Sequence, residues 1–68
     1  MPKVILNKKI SNRVLNGHPW IFGNEINSVE GPAAGGDIVQ VITHDKKFVG
    51  KGYFNPRSQI QVRLLTRN

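Results

Sequence analysis

The sequence contains no cysteine. Disulfide staples, thiolate zinc sites and cysteine nucleophiles are therefore excluded, and the cytoplasm is the expected compartment. Acidic residues are scarce: Glu25, Glu30, Asp37 and Asp45 stand against ten Lys and Arg. Each acid falls beside a turn or strand end, and no spacing pairs two of them for general acid–base work. Two histidines, His18 and His44, are too few for a metal centre without thiolates, so no metal site is expected. No run approaches the ~20 apolar residues of a membrane helix, so no membrane partner is expected. Val4-Ile5-Leu6 is too short for the apolar region of a signal peptide, and Lys8 and Lys9 follow it. There is no Asn-x-Ser/Thr acceptor. At 68 residues, 38% hydrophobic and 7% aromatic, the chain is too apolar for disorder yet short of material for a large core. It reads as one domain over residues 1–68, near the lower size limit for independent folding.

What is present is β-rich. Lys3–Leu6 reads as a short strand. Lys8 to Asn16 is the best helical segment, with Asn7 as its cap and Ile10 and Val14 on one face beside Leu15. Gly17 and Pro19 end it. Trp20–Phe22, Ile26 to Val29, Ile38 to Thr43, Phe48–Phe54 and Ser58 to Thr66 follow as strands, with a tight turn at His44-Asp45-Lys46. Several strands joined by short turns predict a small barrel or sandwich.

Alternation assigns faces. In the last strand Ile60, Val62 and Leu64 point one way, while Arg57, Gln59, Gln61, Arg63 and Arg67 point the other. In the strand before it Lys47, Val49, Lys51 and Tyr53 share a parity opposite to Phe48, Gly50, Gly52 and Phe54. Gly50 and Gly52 inside a strand indicate a barrel corner or a neighbouring backbone at close range. Gly50-Lys51-Gly52 lacks the spacing of a phosphate loop, and no G-x-G-x-x-G follows a strand, so no nucleotide or S-adenosylmethionine pocket is expected here. Phe22, Phe48 and Phe54 are expected in the core, as is Trp20.

The net charge of +6 and the interleaved aromatics are the composition of an RNA-binding module. Cations to meet phosphate are Lys8, Lys9, Arg13, Lys51, Arg57, Arg63 and Arg67; Trp20 and Tyr53 are the rings available for stacking.

Two blocks carry a resemblance. One is Gly17-His18-Pro19-Trp20-Ile21-Phe22 followed by Glu25-Ile26. The other is Gly50-Lys51-Gly52-Tyr53-Phe54-Asn55-Pro56-Arg57-Ser58-Gln59-Ile60, ending in Val62-Arg63, and Gly36-Asp37-Ile38-Val39-Gln40-Val41 leads into it. Over nearly the whole chain the sequence resembles the N-terminal PUA domain of bacterial class I S-adenosylmethionine-dependent methyltransferases that modify cytosine C5 in large-subunit ribosomal RNA. That resemblance implies an all-β, mixed-sheet PUA-like pseudo-barrel with one short α-helix. It implies that the domain holds ribosomal RNA for a separate downstream methyltransferase domain, where S-adenosylmethionine would bind, and that this chain alone is not an enzyme. It also implies an RNA surface built from the first helix, a nearby loop and an adjoining strand, which carries Lys8, Lys9, Arg13, His18 and Arg57 or Arg63. Two other readings stand beside it. One is an interaction or dimerisation module, with an apolar patch at Trp20 and Leu65, that packs on its own catalytic domain or forms a homodimer through the parent protein. The other is a free-standing small ribosomal or translation protein.

Overall fold

The computed structural model describes residues 1–9 and 12–67, and the side chains of Asn12 and Arg13 fall outside that description. The β-branched runs and alternating segments form six strands: β1 (Lys3–Leu6), β2 (Trp20–Phe22), β3 (Ile26–Glu30), β4 (Ile38–Ile42), β5 (Phe48–Phe54) and β6 (Ile60–Thr66). A one-turn helix α1 (Asn12–Leu15) follows β1, and a short 3₁₀ turn at Gly23–Glu25 joins β2 to β3. The strand order is β2-β6-β5-β4-β1-β3. β1 and β4 run parallel, and every other neighbouring pair is antiparallel. This is the mixed sheet with one short helix that the resemblance implied.

A single sheet has no second layer to bury its apolar face, so it must curl on itself. The Cα extents of 26 × 23 × 20 Å are nearly equal in all directions, as curling requires. Inside lie Val4, Leu6, Val14, Ile21, Val39, Val41, Val49, Phe54 and Val62. These come from five strands and α1, so the core depends on all of them at once. Burying side chains of this size stabilises by about 1.5–3 kcal/mol each.

Gly50 and Gly52 show why a curled sheet of this size needs glycine. A Cβ on Gly50 would run into the Thr66 carbonyl, and one on Gly52 into the Arg63 carbonyl. Both obstacles are backbone of β6, which crosses β5 too closely for any side chain there. Gly17 ends α1 as expected, with φ +110° and its N–H donating to the Val14 carbonyl.

Six expectations need correction. The helix is Asn12–Leu15 and not Lys8–Asn16: Lys8 and Lys9 form a turn after β1, and Ile10 lies outside the described residues. The first turn of α1 carries no acid to favour it, and two lysines ahead of it oppose the helix dipole. Asn7 caps nothing in this arrangement. Its Nδ2 donates to the Asn24 carbonyl at 2.6 Å and its backbone N–H to the Glu25 carbonyl at 2.8 Å, tying β1 to the 3₁₀ turn. Leu15, expected beside Val14 on the apolar face, is exposed.

Phe48 is exposed and Val49 buried, the reverse of simple alternation. Ile42 opposes Phe48 while Val41 opposes Gly50, so Val49 is an extra residue on β5. A bulge of this kind re-aims the residues on its far side. Phe22 is half-buried rather than fully in the core. Trp20 is 41% exposed, because β2 is a three-residue edge strand paired, among the described residues, with β6 alone.

Candidate nucleic-acid interface

Residues paired in register share a face of the sheet. The inward rows are the core. On the outward face, Trp20 of β2 pairs with Arg63 of β6, Arg63 with Tyr53 of β5, and Tyr53 with Ile38 of β4. Two residues away along the strands runs a second outward row, in which Thr66 pairs with Lys51, Lys51 with Gln40, Gln40 with Lys3 and Lys3 with Glu30. Arg63, Lys51 and Lys3 thus all stand on the outward side of the curled sheet, on β6, β5 and β1, with Glu30, at the far edge, as the only acid in either row.

The Trp20 end of the first row is held by several contacts. The His18 and Trp20 rings meet edge to face, with centroids 5.6 Å apart. The Trp20 backbone N–H donates to His18 Nδ1 at 3.2 Å. Arg67 reaches back and donates to the His18 carbonyl at 3.1 Å. The Leu64 N–H donates to the Pro19 carbonyl at 2.7 Å, fastening the entry to β2 onto β6. The Arg63 guanidinium carbon lies 5.9 Å from the Trp20 ring centroid, at the outer limit of a cation–π contact. His18 therefore acts first as an organiser of Trp20.

Of the residues singled out in the sequence, the structure brings His18, Lys51 and Arg63 onto or beside this face. Lys8 sits elsewhere. With Asn7, Leu15, Thr43, His44, Asp45 and Lys47 it lines a half-open cleft of about 410 Å³ between the β1–α1 turn and the β4–β5 turn. Lys9 adjoins it in the same turn. Arg13 is in α1, and its side chain lies outside the described residues. Arg57 is in the β5–β6 turn, where its backbone N–H donates to Asn55 Oδ1 at 3.2 Å. The antiparallel register of β5 and β6 puts that turn at the opposite end of the sheet from Arg67 and the β4–β5 turn.

The β4–β5 turn is built around Thr43. Its hydroxyl donates to Asp45 Oδ1 and accepts the Lys47 N–H at 2.9 Å. Lys47 Nζ lies 3.7 Å from Asp45 Oδ2. The Thr43 hydroxyl first, and Lys47 with it, hold the Asp45 carboxyl below its ordinary value of 3.8. The cleft's one carboxylate is thus engaged within its own turn.

Sequence reasoning missed Lys3 and Gln40 as members of the outer face. Their place is set by the parallel pairing of β1 with β4, which joins segments far apart in the chain and leaves no local signature. It also assigned Gln61 to the wet row with Arg63. Gln61 is instead the extra residue where Ile21 opposes Val62 and Phe22 opposes Ile60, and its amide reaches toward the Pro56 carbonyl at 3.4 Å.

Among the described residues, no group of three His, Asp or Glu could hold a metal ion. No described helix is long and apolar enough to cross a membrane.

Residues 4–67 match the model of a family described as a PUA-like domain. The chain is 32% identical over 65 residues to the Ribosomal RNA large subunit methyltransferase I of Salmonella arizonae, covering 96% of this chain and 16% of that protein. It is 53% identical over 51 residues to the protein of the same name from Shewanella frigidimarina, covering 72% of this chain and 13% of that protein. With the Klebsiella pneumoniae strain 342 protein of that name it shares 34% identity over 65 residues, again 96% of this chain and 16% of the relative. The chain therefore corresponds to a small part of each relative's length. A family match across 4–67, on a curled mixed sheet, decides the classification: this chain belongs to the PUA-like domain family.

Proposed function

We propose that residues 1–68 form an RNA-binding module of a large-subunit ribosomal RNA methyltransferase. The module holds ribosomal RNA, while cytosine-C5 methylation belongs to an S-adenosylmethionine-dependent domain elsewhere in the polypeptide. The observation that carries this reading is that the outward rows of the sheet carry Arg63, Lys51 and Lys3 against one acid, Glu30 at the edge. A polyanion meeting such a face releases its condensed counterions, which drives binding with no requirement for a pocket. The proposed contacts are Lys51 and Arg63 on the face and His18 beside it. Lys8 and Lys9, in the turn after β1, are secondary candidates away from this face; Arg13 is carried by α1, and Arg57, in the β5–β6 turn, is assigned no contact.

The chain's own residues do not fit S-adenosylmethionine. Among the described residues the one parallel strand pair is β1 with β4, and β1 runs into Asn7-Lys8-Lys9 with no glycine-rich turn. The glycines flanking Lys51 are packed against β6 and offer no cradle.

Binding of a large-subunit rRNA fragment across a salt series tests the proposal. The expected result is a linear fall of log K with log salt, with a slope of about −0.7 to −0.9 per phosphate contacted. Affinity that does not change with salt contradicts it. A second reading, contact with the rest of the polypeptide or with a second copy, draws on the exposure of Leu65 and Trp20. It predicts that added catalytic domain, and not RNA, protects those two side chains.

A further inference from the structure

The outward row holds more than charge. Trp20 is 41% exposed and Tyr53 51% exposed, in a chain with one Trp, one Tyr and three Phe. Both rings pair in register with the same residue, Arg63, one from each side. Neighbouring strands lie about 4.8 Å apart, so the two rings spring from backbone positions about 10 Å apart with Arg63 rooted between them. We propose that this row is a stacking platform for two unpaired nucleotides, with Arg63 on the phosphate that links them. This inference rests on the RNA-binding reading and names the kind of RNA.

The spacing selects the ligand. Bases stacked in a helix follow one another at about 3.4 Å, so two rings rooted on strands about 10 Å apart do not match adjacent bases of an intact stack. They suit bases splayed apart. A duplex presents only base edges and phosphates to a protein, with its base faces already covered. Only an unpaired segment has faces to lay on indole and phenol rings. The Arg63 guanidinium lies 5.9 Å from the Trp20 centroid, and its backbone position, paired with Trp20 on one side and Tyr53 on the other, suits a bridging phosphate. Lys51 lies two residues from Tyr53 on the same face of β5, about 7 Å along the strand, and continues the cationic path. His18 accepts the Trp20 backbone N–H and meets its ring at a near-perpendicular angle, so the platform is ordered before RNA arrives.

Trp20 is the only tryptophan, and its fluorescence reports stacking directly. The chain is titrated at low salt with an unpaired oligoadenylate of about eight nucleotides, an abasic strand of the same length, and a blunt RNA duplex. The expected result is quenching of Trp20 by the oligoadenylate and tighter binding to it than to the other two. Tyr53→Ala should weaken oligoadenylate binding about 5- to 150-fold, the usual loss for one stacked base, with little change for the abasic strand; Tyr53→Phe should bind as the parent does. Equal affinity for all three probes with unchanged Trp20 emission overturns the platform and leaves RNA binding standing. No binding to any of the three overturns both. The quenching readout uses the parent sequence, so it decides the matter even if Tyr53→Ala unfolds.

Discussion

Gly52→Ala should be among the most damaging single-methyl changes in this chain. An added Cβ would overlap the Arg63 carbonyl oxygen and lie 2.8 Å from the Arg63 carbonyl carbon and 2.9 Å from Leu64 Cα. All three atoms are backbone, so no side-chain rotation relieves the clash. β5 and β6 must separate where Gly52 pairs with Leu64. Overpacking of this kind costs about 1–3 kcal/mol. A domain of this length has roughly 3–10 kcal/mol of total stability, so the loss is a substantial fraction of it. For a domain this small the melting temperature should fall by about 5–20 °C. The clash falls on Arg63 itself, so the Trp20–Arg63–Tyr53 row should be displaced as well. The assay is thermal denaturation followed by circular dichroism, with Gly35→Ala as the control. Gly35 has no atom within 4 Å of an added Cβ, so its substitution should change stability by no more than about 1 kcal/mol, in the stabilising direction. Equal melting temperatures for Gly52→Ala and the parent would refute the close approach of β6 and, with it, the account of the curl.

Other outcomes follow from the same geometry. Arg63→Ala should weaken RNA binding about tenfold, the ~1.5 kcal/mol of a charge-assisted hydrogen bond, and flatten the salt slope by about 0.7–0.9. Its stability should fall by no more than the ~0.5–1 kcal/mol of an exposed cation–π contact. Arg57→Ala, at the other end of the sheet, should do neither, which electrophoretic mobility shift of the two variants side by side will show. Asp45 makes a pH-dependent contribution of known sign. Its carboxyl is depressed below 3.8, so the stabilisation is present above that value and lost as pH falls below it. The melting-temperature difference between the parent and Asp45→Asn should therefore hold from about pH 7 to 5 and shrink in stronger acid.

Much of the fold was legible because its signals are local. Val4, Val39, Val41 and Val62 alternate with polar or outward neighbours, and turn residues separate the strands. Gly50 and Gly52 announced a backbone approach that the structure locates at Thr66 and Arg63. What was not legible depends on pairing between distant segments. The bulge at Val49 exists because β4 and β5 fall out of step near Ile42, so alternation alone placed Phe48 inside. Trp20 was expected in the core on its size, yet its exposure is set by β2 being a short edge strand. The site divides in the same way. Lys51, Arg63 and Tyr53 share a face through simple parity, whereas Lys3 and Gln40 join them only through the parallel β1–β4 register. Lys8 was assigned to a helix, and the turn that replaces it carries Lys8 to the cleft beside Thr43 and His44.

Amide chemical shifts of the labelled chain, recorded as a large-subunit rRNA fragment is added at low salt, test the central claim most directly. The outer face predicts that Trp20, Lys51, Tyr53 and Arg63 move together while the β5–β6 turn at Arg57 and the distal edge at Glu30 stay still. Shifts confined to Leu15, Phe48 and the cleft, or none at all, would contradict it.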